Sequence, residues 1–399
     1  MIARHAMRLP VGRPFPPFGD AVADLWVLGR PLSLVQEQAL AVHGIDLPAT
    51  VPEAEPHLVF ADNLWFTHEA IRRFLAACDE RGGQMRIDGP FLQATGALQD
   101  LDDGRVPLWL VPAGKRREDV PVVTVDLAVD AKPIPPQHPA LDGADTRPIP
   151  VTDAMVHVVS HWVHLHRVNL LAWLAWGEGE RRRIAGSWWR TILAILTISL
   201  RARSFDPAYI AAAIGHKGRD CRIHPTAVIE ASVLGDGVEV GPFAVIRGSW
   251  IGSGSKITEH ARVAGCIVGE RCTVARGTNL QLSVLLPGSY VSEGRGHQMC
   301  TFGRDSFVAV GVTTFDLSFG REIDVARDGV RVGIGTRFLG SAIGHRARIG
   351  PHVRLGYGEA VPNDALLIGD PDEVARNLPP AIEPGANVVR DGRLQPLKP

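Results

Sequence analysis

The sequence predicts an α/β domain followed by a left-handed parallel β-helix built from hexapeptide repeats. The β-helix is predicted by an aliphatic pattern that returns every seventeen residues over residues 223–285. Its internal steps of six, five and six residues suit neither a helix nor an alternating strand, but they suit three short strands per turn of a coil. The three series are Ile223, Val240, Ile257 and Val274 (face A), Ile229, Ile246, Val263 and Leu280 (face B), and Leu234, Ile251, Val268 and Leu285 (face C).

Glycine follows the aliphatic residue at four of the predicted corners, Gly235, Gly241, Gly252 and Gly269. We expect glycine there because a corner needs backbone freedom that a Cβ would restrict. The aliphatic pattern returns in even steps of six at Ile343, Ile349, Leu355 and Val361. The predicted coil therefore covers residues 223–368, with an interruption in its middle.

Strand-like and helix-like stretches alternate before the coil. Residues 23–46 predict a strand, a turn and a helix, and residues 57–67 predict a buried strand that ends in a polar turn. A helix follows over residues 69–78 until RGGQ stops it, and a proline-rich run at 132–150 predicts a linker or surface loop. Two more strands at 106–111 and 122–127 would complete a mainly parallel sheet. The predicted units are 1–150 (α/β domain), 151–215 (helical linker), 216–372 (β-helix) and 373–399 (tail).

Composition excludes several classes of protein. The chain has 42 basic and 43 acidic residues, which argues against a nucleic-acid-binding surface as its main function. Its five cysteines are odd in number and lack CxxC spacing, so a reduced cytoplasmic setting is the simplest interpretation. The first twenty residues contain no apolar core of a secretory signal.

Residues 184–200 form the most apolar run, flanked by arginines and with Arg190 inside it. The run is short for a membrane span, so we expect a buried or interfacial helix. Two interpretations of Trp188 and Trp189 stay open. They indicate either a peripheral membrane contact or lipid-like substrate groove, or a helix buried between domains.

Three histidines, His157, His161 and His164, are spaced to share one face if residues 156–176 form a helix. Three imidazoles on one face could hold zinc. Valine, leucine and tryptophan interleave with them, and no cysteine or carboxylate lies in the run. Alternatively, the three histidines form the polar edge of a packed helix or a surface that faces a phosphate.

The N-terminal segments resemble the sugar-1-phosphate nucleotidyltransferases that carry a left-handed β-helix, in particular the bifunctional uridyltransferase/acetyltransferase type. VLGRPLSLVQEQALAVHGI is similar to the family's segment that leads into the helix after its nucleotide loop, and VFADNL is similar to its strand ending in a metal-binding aspartate. RVNLLAWL is similar to the segment with an asparagine ligand. The resemblance implies a Rossmann-like nucleotidyltransferase domain in which Asp62 and Asn169 hold Mg²⁺.

The same resemblance departs from the family at the nucleotide loop. RLPVGRPFPPFGD lacks the glycine-rich loop with its arginine and lysine that neutralise the nucleotide phosphates. The first domain is therefore interpreted as a degenerate nucleotidyltransferase domain that serves as a binding or scaffolding domain rather than as an active enzyme. A turn-forming role in ADN is the structural alternative for Asp62.

In the coil, NLQLSVLLPGSYV and VAVGVTTFDL resemble the repeats on either side of the family's acetyltransferase site. Gly296-His297 falls where the family has a Gly-His pair, which implies that His297 is the general base for acetyl transfer. The family's sugar-phosphate lysine falls at Gln281, its tyrosine near Cys300 and its active-site asparagine near Asp316. A solvated loop histidine is the alternative for His297. The charged loop at 321–331 either borders this site or is simply solvated.

Three functions follow as hypotheses. The first is an acyltransferase that uses acetyl-CoA or another acyl-CoA on a sugar, nucleotide-sugar or related metabolite, in clefts between subunits of a homotrimer. The second is a Mg²⁺-dependent sugar-1-phosphate nucleotidyltransferase using Asp62 and Asn169. The third is a scaffold or sensor that keeps both folds without catalysis.

Overall fold

The structure is a computed structural model of the 399-residue chain. It describes residues 3–48, 50, 54–87, 89, 91, 98, 101–127, 130–133, 148–202, 215–294, 296–370, 387–390 and 393–396. All statements below refer to these residues.

The N-terminal head is built on a five-stranded sheet with the spatial order His5–Leu9, His57–Ala61, Arg105–Val111, Gly83–Ile87 and Val122–Val125. Its outer pairs are parallel, but Arg105–Val111 runs antiparallel to both of its neighbours. The sheet is therefore mixed, and the expectation of a mainly parallel sheet is wrong. Its mixed order gives only weak support to the Rossmann-like assignment.

Two helices cover this sheet, α1 (Leu32–Ala41) and α2 (His68–Ala77). Thr67 caps α2 because its Oγ1 accepts a hydrogen bond from Ala70 N at 3.3 Å. Short antiparallel pairs and single 3₁₀ turns complete the head. The pairs are Trp26–Val27 with Arg30–Pro31, Leu64–Phe66 with Val156–Val158, and Asp130–Pro133 with Pro148–Val151; the turns are Val22–Asp24, Asp102–Gly104 and Arg117–Asp119.

The strand Gly83–Ile87 was not predicted, because RGGQ was interpreted only as a helix stop. Gly82 has φ +74°, and a Cβ on it would lie 2.2 Å from the carbonyl oxygen of Leu110. The glycine is needed for the turn that brings this strand against Arg105–Val111.

Two consecutive helices, α3 (Trp162–Ala185) and α4 (Trp188–Ala202), join the head to the coil. Helix α3 begins six residues later than predicted, because Val156–Val158 is a strand that pairs with Leu64–Phe66. His161 caps α3 by accepting a hydrogen bond from Val163 N at 3.3 Å. No helix in the described part of the chain is long and apolar enough to cross a membrane.

From residue 215 the chain winds as a parallel β-helix, which confirms the predicted coil. Face A has the strands Arg222–Ile223, Glu239–Val240, Lys256–Ile257, Thr273–Val274, Tyr290–Val291, Phe307–Val308, Arg348–Ile349 and Leu366–Leu367. Face B has Val228–Glu230, Val245–Arg247, Arg262–Ala264, Asn279–Gln281 and His297–Gln298, then the pair Thr313–Thr314 and Arg354–Leu355. Face C has Gly215–Lys217, Ser232–Leu234, Trp250–Ile251, Ile267–Val268, Val284–Leu285, Thr301–Phe302, Ala342–Ile343 and Ala360–Val361.

The aliphatic rows stack inside the coil in the predicted alignment. Val240 pairs with Ile257, and Ile257 pairs with Val274, with exposures of 3%, 0% and 0%. Each turn thus covers the apolar residue of the turn before it, so the coil has a dry interior of its own.

A ladder of small polar side chains lines one corner of this interior. The residues Ser232, Ser249, Cys266, Ser283 and Cys300 repeat at seventeen-residue intervals. Each of the first four accepts a hydrogen bond from the backbone N–H of the next member, at 3.1 to 3.4 Å. Burial raises the pKa of the Cys266 thiol to about 12 and that of Cys300 to about 11. These cysteines are corner residues of the coil and poor nucleophiles.

The corner glycines are required for a reason other than the one predicted. Gly235, Gly241, Gly252 and Gly269 do not have positive φ angles. A Cβ on each would instead lie 2.5 to 2.7 Å from an atom of the next turn. Close approach between successive turns, rather than backbone freedom, excludes a side chain there.

We expect Gly252→Ala to destabilise the coil by about 1–3 kcal/mol, since the new methyl would strike the backbone of Gly269 at 2.5 Å. Gly356→Ala is the matched control, because its methyl would meet Glu359 at an ordinary 3.5 Å. Urea unfolding of both variants measures the difference. Equal losses of unfolding free energy would contradict the close-approach explanation.

The interruption of the coil folds back onto the head. It contains the hairpin Asp324–Arg327 and Val330–Gly333. Ile323 and Val325 are fully buried in the apolar cluster of the head, and His161 Nε2 lies 3.1 Å from the carbonyl oxygen of Ala326. The hairpin therefore packs between head and coil, although its sequence is charged. The tail contributes the hairpin Asn387–Arg390 and Arg393–Pro396; the rest of predicted residues 373–399 lies outside the described residues.

Face C is the surface on which the head docks. The outward residues Ile267, Val284 and Ala342 are fully buried in the head's apolar cluster. From α3, Trp173 donates a hydrogen bond to the carbonyl of Gly248 at 2.8 Å, and His166 Nδ1 lies 2.9 Å from Thr301 Oγ1. One apolar core thus contains the inner side of the head and one outer side of the coil.

A buried ionic cluster, the Asp20 cluster of Asp20, Arg304 and His345, joins the two units farther along face C. The Asp20 carboxylate accepts hydrogen bonds from Arg304 and, at 2.9 Å, from His345 Nε2. His345 Nδ1 accepts a hydrogen bond from Arg304 N at 2.8 Å, which places the ring proton on Nε2. Burial raises the pKa of the Asp20 carboxyl, but the hydrogen bonds from His345 and Arg304 outweigh it and hold that pKa below its usual value.

Candidate functional site

The predicted base, His297, lies in the interior of the coil. His297 pairs with Leu280 in the parallel ladder of face B, so it takes the next place in the inward row. Its side chain is 1% exposed. Extending the seventeen-residue series from Leu280 by one step also reaches His297. The repeat itself therefore carried the signal that this ring points inward.

The imidazole of His297 is held by one ring nitrogen only. Nδ1 lies 3.2 Å from Thr314 Oγ1, and the ring packs edge-on against Phe302 with centroids 5.5 Å apart. Nε2 is buried and has no hydrogen-bond partner among the described residues. Burial lowers the pKa of His297 to about 4, so the ring is neutral at physiological pH.

The segment before His297 covers its free nitrogen. Gly294 lies so close that a Cβ on it would be 3.1 Å from His297 Nε2. Gly296 has φ +144°, and Arg295 lies outside the described residues. A side chain at position 294 would therefore press against His297 Nε2.

The two predicted substrate-binding residues lie on the same face. Gln281 is half-buried and stands beside Gln298 on the outer side of face B. Asp316 follows Thr314 at the end of the next strand and is also half-buried. Burial raises the pKa of the Asp316 carboxyl above its usual value.

Several neighbours of this site were not predicted. Thr314 was missed although it stands seventeen residues after His297. Asn279 accepts a hydrogen bond from Arg262 Nη1 at 3.0 Å and extends the polar strip of Gln281 and Gln298 along face B. These outward residues alternate with the inward apolar row, as side chains in a β-strand do, so the two-residue alternation within each turn indicates their positions.

Asp62 lies in the turn after His57–Ala61, as predicted. Its Oδ1 accepts hydrogen bonds from Gly12 N at 2.7 Å and Val11 N at 3.1 Å. A Cβ on Gly12 would lie 2.9 Å from the same oxygen. Two backbone N–H groups of the segment after the first strand thus bind the chain's own carboxylate.

Asn169 is fully buried on α3, and all its polar groups are occupied. Its Oδ1 accepts from Leu28 N at 2.8 Å, and its Nδ2 donates to the carbonyls of Trp26 and Leu165 at 2.9 and 3.0 Å. An amide oxygen turned to a backbone N–H does not suit a metal ligand. The pair predicted for Mg²⁺ thus does not fit the ion.

His157, His161 and His164 lie near one another, although not on one helix face. His157 is in a strand, His161 caps α3 and His164 is inside it. The rings of His157 and His164 are 5.0 Å apart, and those of His161 and His164 are 6.2 Å apart. No group of three His, Cys, Asp or Glu among the described residues is arranged to hold a metal ion.

An open groove of about 530 Å³ lies between face A and face B near the start of the coil. Charged side chains of both signs line it, among them Arg222, Glu239 and Lys256. Glu239 pairs with Lys256 at 3.3 Å and with Arg222 at 3.6 Å, so these charges largely satisfy one another.

Three comparisons with known proteins bear on the coil. Residues 211–299 match a family model described as the GMPPB C-terminal domain. The matched residues make up less than a quarter of the chain. No curated protein sequence matches the chain.

Two solved structures are similar over part of the chain. A candidate acetyltransferase from Bacillus cereus has 16% identity and a TM-score of 0.25, with 38% of this chain and 77% of that chain covered. A mutant of GDP-perosamine N-acetyl transferase from Caulobacter crescentus, in complex with CoA and GDP-perosamine, has 17% identity and a TM-score of 0.11, with 40% and 54% covered. At these TM-scores neither likeness carries a functional argument.

Proposed function

We propose that this protein transfers an acyl group from an acyl-CoA thioester to a hydroxyl or amine of a sugar-type acceptor at face B. The observation that carries this proposal is the state of His297. Its ring is neutral because burial lowers its pKa, it is held through Nδ1 by Thr314, and its Nε2 has no partner among the described residues. A positioned neutral imidazole with a free lone pair is what a general base requires.

The chain's own residues support a balanced reaction. His297 Nε2 takes the proton of the acceptor group as that group forms a bond to the acyl carbon, and the carbon–sulfur bond of the thioester breaks. The same proton then passes to the departing thiolate. In the tautomer that the proposal requires, Nδ1–H donates to Thr314 Oγ1, which also accepts from Cys300 Sγ at 3.3 Å, and the lone pair of Nε2 stays free.

Access to His297 requires a local rearrangement beside Nε2, because the ring is 1% exposed. Gln281 lies on the outer side of face B, whereas the His297 ring points inward; Gln281 and Asp316 are the proposed contacts to an acceptor that reaches His297 through this wall. Acetyl-CoA and longer acyl-CoAs both remain proposed donors, and the homotrimer remains the proposed assembly.

The test begins with acetyl-CoA binding by calorimetry and continues with thiol release in the presence of hexosamine and nucleotide-sugar acceptors. We expect His297→Gln to reduce turnover about 10²–10⁴-fold with acyl-CoA binding retained. Turnover should persist toward acid until about pH 4, because the base stays neutral above its lowered pKa. His352→Gln, on an exposed corner of the coil, is the matched control.

Absence of acyl-CoA binding, or unchanged turnover in His297→Gln, would contradict the acyltransferase proposal. The first outcome would favour the scaffold alternative, which the occupied polar groups of Asp62 and Asn169 already support for the head. Pyrophosphate release from a nucleoside triphosphate and a sugar phosphate, lost in Asp62→Ala, would instead establish the nucleotidyltransferase alternative.

A further inference from the structure

Helix α4 turns an apolar face to solvent. Among the exposed large apolar residues of the described chain, five lie within nine consecutive positions of this helix. They are Trp188 (77% exposed), Trp189 (51%), Ile192 (50%), Leu193 (56%) and Leu196 (55%). The interpretation of this stretch as a helix buried between domains does not hold for these side chains.

Helical periodicity places these five residues together. At 3.6 residues per turn, positions 188, 189, 192, 193 and 196 lie within an arc of about 140°. Thr191 and Ile198, on the other side, are half-buried. No described residue covers the exposed arc, so the helix presents a continuous apolar strip.

Basic residues outnumber acidic ones beside this strip. Residues 181–202 contain five arginines and no acidic residue. Glu178 and Glu180 pair with the first three arginines, but Arg181 and Arg183 remain 67% and 58% exposed. The Arg190 guanidinium lies over the Trp189 ring, 5.2 Å from its centroid, beside the apolar strip.

We propose that α4 docks the protein onto an anionic membrane surface, with the helix lying in the plane of the interface. Tryptophan is enriched at the headgroup level, and a helix with an apolar strip and a basic flank is typical of interfacial binding. The helix has 15 residues and none of the described helices could span a bilayer, so it lies on the surface rather than crossing it.

A second copy of this chain fits the strip less well. An isologous contact through α4 would bring the same basic flank against itself, without an acidic partner in residues 181–202. Anionic lipid headgroups supply the missing charge. This proposal is independent of acyl transfer, because it uses no residue of face B.

The test is flotation of the full chain with phosphatidylcholine vesicles, with and without phosphatidylglycerol. We expect binding to the anionic vesicles that weakens at high salt. Trp188→Ser should weaken it about tenfold through lost apolar burial. Arg190→Gln should weaken binding to anionic vesicles about fivefold and leave binding to phosphatidylcholine unchanged.

The matched control is Phe319→Ser, since Phe319 is 83% exposed on the interruption of the coil. It should bind vesicles like wild type, and urea unfolding should show all three variants as stable as wild type. Failure of the wild type to float with anionic vesicles would overturn the proposal. So would sedimentation showing a self-associated wild type that Trp188→Ser dissociates, because the strip would then be a contact between copies.

Discussion

Asp20→Ala is expected to lower the free energy of unfolding by about 1–3 kcal/mol. The substitution leaves the Arg304 guanidinium and the His345 ring without their anion, and His345 is only 2% exposed. His345 Nε2–H then stays buried without an acceptor, whereas the Arg304 side chain, which is 35% exposed, keeps part of its hydration. Urea unfolding at neutral pH measures the loss.

Asp364→Ala is the matched control. Asp364 pairs with Arg346 at 2.6 Å on the same end of the coil, but both side chains are more than half exposed. Its loss should leave the free energy of unfolding close to that of wild type, because water screens the exposed pair. If the two variants lose equal stability, the Asp20 cluster does not contribute to docking in the way that its burial indicates.

Acid should destabilise the fold between pH 6.5 and pH 4, well before the carboxylates are protonated. Burial, with a smaller contribution from Arg167, lowers the pKa of His166 to about 3, and burial lowers that of His297 to about 4. The unfolded chain binds these protons from about pH 6.5 downward, whereas the folded chain does not. Stability therefore falls as the pH falls, by about 2–3 kcal/mol per ring at pH 4.5.

The measurement is the unfolding free energy of wild type at pH 7.5 and 4.5, compared with that of His166→Gln and His297→Gln. Each variant should lose about 2–3 kcal/mol less than wild type over this interval. The exposed His352→Gln should keep the wild-type difference. Glu69 and Glu178 change the stability only at lower pH. Their arginine partners hold the carboxyl pKa of each at about 2, although burial opposes this. If His166→Gln and His297→Gln both lose as much stability as wild type between pH 7.5 and 4.5, the two buried histidines are not the cause of the acid destabilisation.

His166 and Asp20 both contribute to the contact between the head and face C. His166 and the Asp20 cluster both lie where the head meets face C, and they hold it by a neutral ring and by an ion pair respectively. Mild acid would weaken the first contact while the second persists, since the pKa of Asp20 lies below its usual value.

The coil was predictable because its period is local. Seventeen-residue spacing alone placed Val240, Ile257 and Val274 on one internal edge, and the ladder bears this out. The helices α1 and α2 were likewise found to within a few residues. The mixed sheet was not, because strand direction depends on which strands meet, and the strand Gly83–Ile87 was hidden in a glycine-rich stop.

The candidate site was predicted in part. Gln281 lies in a strand of face B on its outer side and Asp316 lies just beyond such a strand, whereas the His297 ring points inward, a direction that the seventeen-residue repeat already indicates. Asp62 was placed correctly after its strand, but its two backbone partners, Val11 and Gly12, are about fifty residues away in the sequence. A residue's type and spacing indicate what it is able to bind; its neighbours decide what it does bind.

The sequence by itself determined the coil, because a stack of identical turns needs only a repeated apolar residue, and a repeat is visible in one dimension. Only the tertiary structure decided that face C belongs to the head, that Asn169 is occupied by backbone groups, and that α4 presents its apolar strip outward. Each of these depends on contacts between residues far apart in the chain. Such contacts are set by which surfaces exclude water together, and no local pattern records that.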